Sequence, residues 1–171
     1  MVQVKAKPLS KDAFAKYGEF LDLTNNADLE KVTGSPGGFW PNAIQLIFGG
    51  ALPPTVSVCQ ANKADKIEVH FFEGHEKTCE GLLPIDGDVV IYVGPGIMKF
   101  GPPPYKAPLD KMEAFIVPMG TFVKLNPYVT HGSQFAINKK EVHLLCLLPN
   151  LTASTDMTVV FDPNDGIEIV L

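Results

Sequence analysis

The chain has 171 residues, a mass of 18.6 kDa and a formal net charge of −5. Hydrophobic residues make up 46%, which excludes a disordered chain and suits one domain, residues 1–171, burying roughly 70% of its unfolded surface. All 14 basic residues are lysine, and the densest basic run is the pair Lys139-Lys140, so no nucleic-acid face is expected and no guanidinium fork exists to grip an anion.

In chain order, the first predicted element is a helix. Ser10 suits its cap, Asp12 its first turn and Gly18 its end. Ala13, Phe14, Tyr17 and Leu21 then fall at helical spacing. A weaker helical turn is expected over Asn26 to Val32, followed by a loop at Gly34, Pro36, Gly37 and Gly38.

From there the pattern is β. Strands are predicted over Ala43–Phe48, Thr55–Gln60, Lys66–Glu73, Asp88–Val93 and Glu113–Pro118. Further strands are predicted over Phe122–Leu125, Gln134–Ile137, Glu141–Leu148, Thr158–Phe161 and Ile167–Val170. Glycine and proline number 15 each and punctuate these runs. Many short strands after one helix predict a mainly β fold: an antiparallel barrel or jelly roll with a short N-terminal helix. The turns leave no room for crossover helices.

The strand Lys66–Glu73 carries the most information. Ile67, Val69 and Phe71 share one face, and Glu73 continues it; Lys66, Glu68, His70 and Phe72 share the other. Glu73 is therefore expected to point inward, and His75 with it. An inward carboxylate and imidazole are costly without partners, so the pair either caps the barrel mouth or performs chemistry.

Two spacings sharpen this. His75, Glu80 and Gly87 stand as in the first cupin motif, with Glu73 at the place of that motif's first His. Pro118-Met119-Gly120, followed by His131, resembles the second motif with a longer gap. Neighbouring strands then bring His75, Glu80 and His131 to one point. Nitrogen and oxygen ligands with open positions suit Ni, Mn, Fe or Zn, so a divalent metal held by these three residues is expected.

The resemblance extends to one family. Glu73-Gly74-His75 through Pro84-Ile85 is similar to a segment of the ureidoglycolate lyase family. Val123 through His131 and the opening Lys7 to Gly18 resemble that family as well. The family's Arg after Glu is Gly74 here, its Trp before His is Thr130, and the His after His131 is Gly132. The resemblance implies a cupin barrel, a homodimer, and release of urea and glyoxylate from ureidoglycolate in allantoin and purine breakdown.

Such chemistry needs a base for the hydroxyl proton, an acid for the departing nitrogen and a cation for the carboxylate. His131 and His75 are the candidate bases, and Glu80 and Glu73 their partners. Lys124 is the candidate contact for a small carboxylate substrate. A cupin binding or sensing module without catalysis, and a cupin isomerase or epimerase, are the alternatives. His70 is expected at an outer solvated position, His143 as a satisfied core histidine and Trp40 as a packing anchor. Three scattered cysteines, no apolar leader and no long apolar run point to a soluble cytoplasmic protein with no membrane contact.

Overall fold

The computed structural model describes residues 1–171 apart from Asn26, Ser35, Ala51 and Phe100. It is mainly β. The strands are β1 (Val2–Pro8), β2 (Gly18–Asp22), β3 (Pro54–Asn62), β4 (Ile67–Val69), β5 (Phe71–Gly74), β6 (Glu80–Pro84) and β7 (Val89–Val93). They continue as β8 (Glu113–Val117), β9 (Thr121–Leu125), β10 (Phe135–Ala136), β11 (Glu141–Pro149), β12 (Thr158–Phe161) and β13 (Ile167–Val170). The helices α1 (Lys11–Phe14) and α2 (Thr152–Thr155) are single turns.

Eleven strands form one curled sheet in the order β2-β9-β6-β11-β3-β10-β7-β8-β1-β13-β4, and β12 pairs with β5 beside it. Most ladders are antiparallel, as a cupin-like barrel requires. The exceptions involve β1, which runs parallel to both β13 and β8, and the single contact of β10 with β3. No crossover helix is involved; β1 is inserted from the chain start between strands laid down much later.

Alternation splits the apolar residues into two cores. On β7, Val89, Ile91 and Val93 face the barrel interior with Leu82, Val123, Leu125 and Leu144. Val90 and Tyr92 face the other way, toward Ile67, Val69, Ile167 and Ile169. A β-strand hydrophobic on both faces is buried on both faces. Glu113 at the start of β8 ties the N-terminal segment down, because Lys7, Lys16 and the Tyr17 hydroxyl all contact its carboxylate. Burial alone would raise its pKa, but these three partners outweigh burial and hold it down at about 2.

Several expectations are corrected. The N-terminal helix is capped by Ser10, whose hydroxyl accepts from the Ala13 N–H, but it runs only from Lys11 to Phe14. Tyr17 packs beside Phe14 and Phe115 from the turn that follows. Residues 27–29 form a turn and a bend and residues 30–32 an irregular stretch instead of a helix, and Asn26 lies outside the described residues. Ala43–Phe48 is not a strand; only Phe48 forms a bridge, with Thr78. β1, β2 and β6 were not expected.

The predicted strand Lys66–Glu73 breaks at His70. There the chain leaves β13 for β12, and the burial phase slips by one residue, so Ile67, Val69 and Phe72 are buried while Phe71 and Glu73 are half-buried. His70 itself is held by the carbonyls of Asp162 and Asp165.

Candidate active site

Three elements deliver the site. His75 follows β5 directly, Glu80 is the first residue of β6, and His131 lies between β9 and β10. Glu73 and His131 form a two-bond antiparallel pair, Glu73 N–H to His131 carbonyl at 2.8 Å and the reverse at 2.9 Å. Glu80 pairs with Leu125 across the sheet, so its side chain faces the barrel interior as Leu125 does. The turn that starts β9 needs its glycine: Gly120 has φ 81°, and Thr121 N–H bonds back to the Pro118 carbonyl.

His75, Glu80 and His131 are all buried, at 4%, 5% and 3% exposure. Both imidazoles direct Nε2 at the same atom. Nε2 of His75 lies 3.2 Å from Glu80 Oε2, and Nε2 of His131 lies 3.0 Å from it. Each Nδ1 faces a backbone carbonyl at 2.9 Å, Asp156 for His75 and Val129 for His131. Donation from Nδ1 to a carbonyl fixes the ring and leaves Nε2 for the centre of the cluster.

The electrostatics follow from that geometry. Burial would raise the Glu80 carboxyl, but the charge and hydrogen bonds of His131 and His75 outweigh burial and hold it well below the ordinary carboxylate range. Burial would lower His131, but the Glu80 charge and hydrogen bond outweigh it and raise the imidazole to about 9. Glu73 moves the other way. Its own burial raises its pKa, and the Glu80 charge adds to this against the pull of the two histidines.

Cys146 completes the surroundings of Glu80. Its thiol is 3.6 Å from Oε1, the oxygen the histidines do not use. Its pKa is raised, first by the hydrogen bond with Cys59 and then by burial, so it stays a neutral donor. The sequence reading missed this residue, although parity on the long strand β11 places Cys146 inward with Leu144.

The donor set fits a divalent metal. Two imidazole nitrogens and a carboxylate oxygen lie within 4.8 Å of one another, and their rings are already anchored at Nδ1.

Lys124 is not brought to the cluster. It neighbours Leu125 on β9 and therefore lies on the sheet face away from the cluster, buried at 8% exposure, where its Nζ meets Glu19 at 2.5 Å. Cys79 faces the same side and takes an N–H from Ile47; its thiol pKa is raised by burial. His143 is no core residue: it is half-exposed and bonded to Asp86 and Glu141.

A cavity of about 200 Å³ reaches the cluster at His75, between Ile97, Lys99, Tyr128 and Thr158. Tyr128 holds a left-handed backbone (φ 69°), and its N–H bonds the His75 carbonyl at 2.6 Å. A larger cavity of about 580 Å³ lies on the far side of Tyr128, by Tyr17, Met112 and Glu113, and touches none of the three cluster residues.

The family described as ureidoglycolate lyase matches residues 1–167. The chain belongs to that family. The class of activity is therefore that of a lyase, on a cupin-like barrel. Among solved structures, the chain is similar to a dTDP sugar isomerase from Desulfovibrio desulfuricans G20, with 12% identity and a TM-score of 0.46 over 80% of this chain and 82% of that one. It is also similar to a histidine-to-asparagine variant of the 3,4-ketoisomerase QdtA from Thermoanaerobacterium thermosaccharolyticum, with 17% identity and a TM-score of 0.35 over 76% and 82%. No curated protein sequence matches the chain.

Proposed function

We propose that this chain splits the carbinolamine C–N bond of ureidoglycolate to give urea and glyoxylate, a step in allantoin and purine breakdown. The convergence of His75, Glu80 and His131, in a chain of this family, carries the reading. The hydroxyl proton leaves as the C=O forms, and the C–N electron pair goes to nitrogen, which takes up a proton.

Glu73 is proposed as the base for the hydroxyl proton, since burial makes it a stronger base than a solvated carboxylate. The departing nitrogen takes the proton shared between Nε2 of His131 and Glu80, which a pKa of about 9 keeps in place at neutral pH. Proton return from Glu73 to His131 resets the site. In this reading His131 serves as the acid, in place of the base role that the sequence suggested for it. His75 and Cys146 hold the Glu80 carboxylate between them. A divalent metal held by His75, Glu80 and His131 would take the place of the Nε2 proton of His131 and would supply Lewis-acid polarisation of the substrate oxygens in its stead, so the metal route and the His131 acid route are alternatives.

The test is urea and glyoxylate release from ureidoglycolate, with and without added Ni or Mn. Wild-type turnover that His131→Ala abolishes in a folded protein is the expected result. A silent wild type under every metal condition would overturn the lyase reading. A ligand-induced thermal shift without turnover would then indicate a binding module.

We also propose a homodimer. Val56 and Val58 project from β3 at 67% and 73% exposure, beside the half-buried Leu147 and Leu145 of β11. Such an apolar sheet face suits a second copy. A monomer by light scattering would remove this assignment. No helix among the described residues is long and apolar enough to cross a membrane. A reducing cytoplasm is proposed from the free thiols Cys59, Cys79 and Cys146.

A further inference from the structure

The proposed substrate carries a carboxylate, and this chain has no arginine to receive it. The cation must be a lysine, a metal or backbone N–H groups. Lys124 is committed to Glu19 on the outer face of β9. The cavity that reaches His75 has a different lysine in its wall, Lys99.

Lys99 is held for such a role. Its ammonium contacts the Glu76 carboxylate, and it stands 5.7 Å from the centre of the Tyr105 ring. Glu76 lines the same cavity and follows His75 in sequence. The lysine and glutamate side chains keep 36% and 41% exposure, so an incoming solute reaches them. The rest of the wall includes Gly74, Gly96, Ile97 and Thr158, none of which is a second cation. About 200 Å³ suits a small acid.

We infer that Lys99 is the residue that receives the substrate carboxylate, and that Glu76 occupies its place in the free protein. A carboxylate bound at Lys99 exchanges one charge-assisted contact for another. The substrate's other end then lies toward His75, which lines the same cavity. Glu76 thereby sets specificity: it competes with the carboxylate, and a neutral solute has no means of displacing it. The inference rests on the lyase reading for the identity of the substrate, while the carboxylate subsite itself can be tested without turnover.

The probes are glycolate and its uncharged amide, glycolamide, titrated calorimetrically into the full chain. Lys99→Met should weaken glycolate binding roughly tenfold or more and leave glycolamide unchanged. Glu76→Gln should tighten glycolate several-fold, because it removes the competitor. Lys124→Met should bind glycolate as the wild type does. The inference is overturned if wild type shows no glycolate binding, if Lys99→Met binds glycolate normally, or if that variant loses both probes equally. Lys99-dependent glycolate binding in a protein that releases no urea would sink the lyase reading and keep the subsite. Urea release with a KM indifferent to Lys99→Met would do the reverse.

Discussion

Nε2 of His131 lies 3.0 Å from Oε2 of Glu80, with both side chains sealed inside the barrel. A lone charge at that depth would be expelled or neutralised. Together they form an ion pair whose remaining polar atoms are met by the Val129 carbonyl, His75 and Cys146. Among the described residues, no buried side-chain nitrogen or oxygen is left without a partner.

That pair makes stability depend on pH. His131 rises from an ordinary 6.5 to about 9 in the folded chain. Its contribution is full below 6.5 and is lost as pH rises through 9. Glu80 is shifted down from 4.5, so its contribution is present above that value and lost as pH falls below it. The site therefore stabilises most between these limits. The His131 shift corresponds to roughly 3 kcal/mol. Urea midpoints should fall between pH 6.5 and 9.5, and Glu80→Gln should be less stable at pH 6.5 and much flatter across that range. The half-exposed His143, raised by Asp86, titrates alike in both proteins. An unchanged slope in Glu80→Gln would count against the pair.

Glu73 is the residue whose substitution separates chemistry from fold. It is half-buried, and its backbone bonds to His131 do not depend on its side chain. Glu73→Gln keeps the shape and removes the proposed base. The expected loss is ~10²–10⁴ in kcat, with little change in KM and an unaltered circular dichroism spectrum. Near-normal kcat would transfer the base role elsewhere.

Metal binding has its own readout. Ni or Mn at saturating concentration should raise the melting temperature, by about 2.7 kcal/mol of stabilisation at a hundredfold excess over Kd. His75→Ala should abolish the shift, because it removes one of three donors. An equal shift in that variant would place the ion away from the cluster.

The sequence carried the site better than the frame around it. His75, Glu80 and His131 were legible because motif spacing counts residues and does not depend on which strands pair. The sequence pattern puts Glu73 on a continuous apolar face; it does lie beside His131, but through a different route. The chain changes sheets at His70, and that break is set by pairing with β12 and β13, more than 80 residues away. β1 is hidden for a similar reason: Val2–Pro8 alternates Gln3, Lys5 and Lys7 with small apolar residues, and its partners β8 and β13 come late in the chain. Ala43–Phe48 has strand composition, yet its backbone meets Cys79 and Thr78 at isolated points only.

Lys124 shows how parity decides a role. It precedes Leu125 by one residue, and Leu125 faces the interior with Glu80. Lys124 must therefore face away from the cluster, where it opposes Glu19 in the β2–β9 ladder. Lys124→Met should leave KM for ureidoglycolate unchanged and lower stability by about 1–3 kcal/mol, because the Lys124 side chain is buried and meets Glu19 in a charge-assisted contact. A raised KM would return Lys124 to the substrate.

Gly132 follows His131 where the resembling family has a second histidine, and space alone requires the glycine. A Cβ there would stand 2.0 Å from the Tyr92 hydroxyl oxygen and 3.2 Å from the Phe71 carbonyl. Tyr92 cannot simply step aside: it is 1% exposed, packs edge-on to Phe72 and donates to that same Phe71 carbonyl at 2.8 Å. Gly132→Ala must therefore break the Tyr92 hydrogen bond or push the 130–132 segment outward. Overpacking of this kind costs about 1–3 kcal/mol. Pushing the segment also moves His131, which directly precedes Gly132, off Glu80 and strains its backbone bonds to Glu73. Gly132→Ala should lower both the urea midpoint and kcat. The double variant Gly132→Ala with Tyr92→Phe, which removes the clashing oxygen, should recover much of the kcat. If the double variant is no better than the single one, contact with the Tyr92 hydroxyl is not what excludes a side chain at position 132.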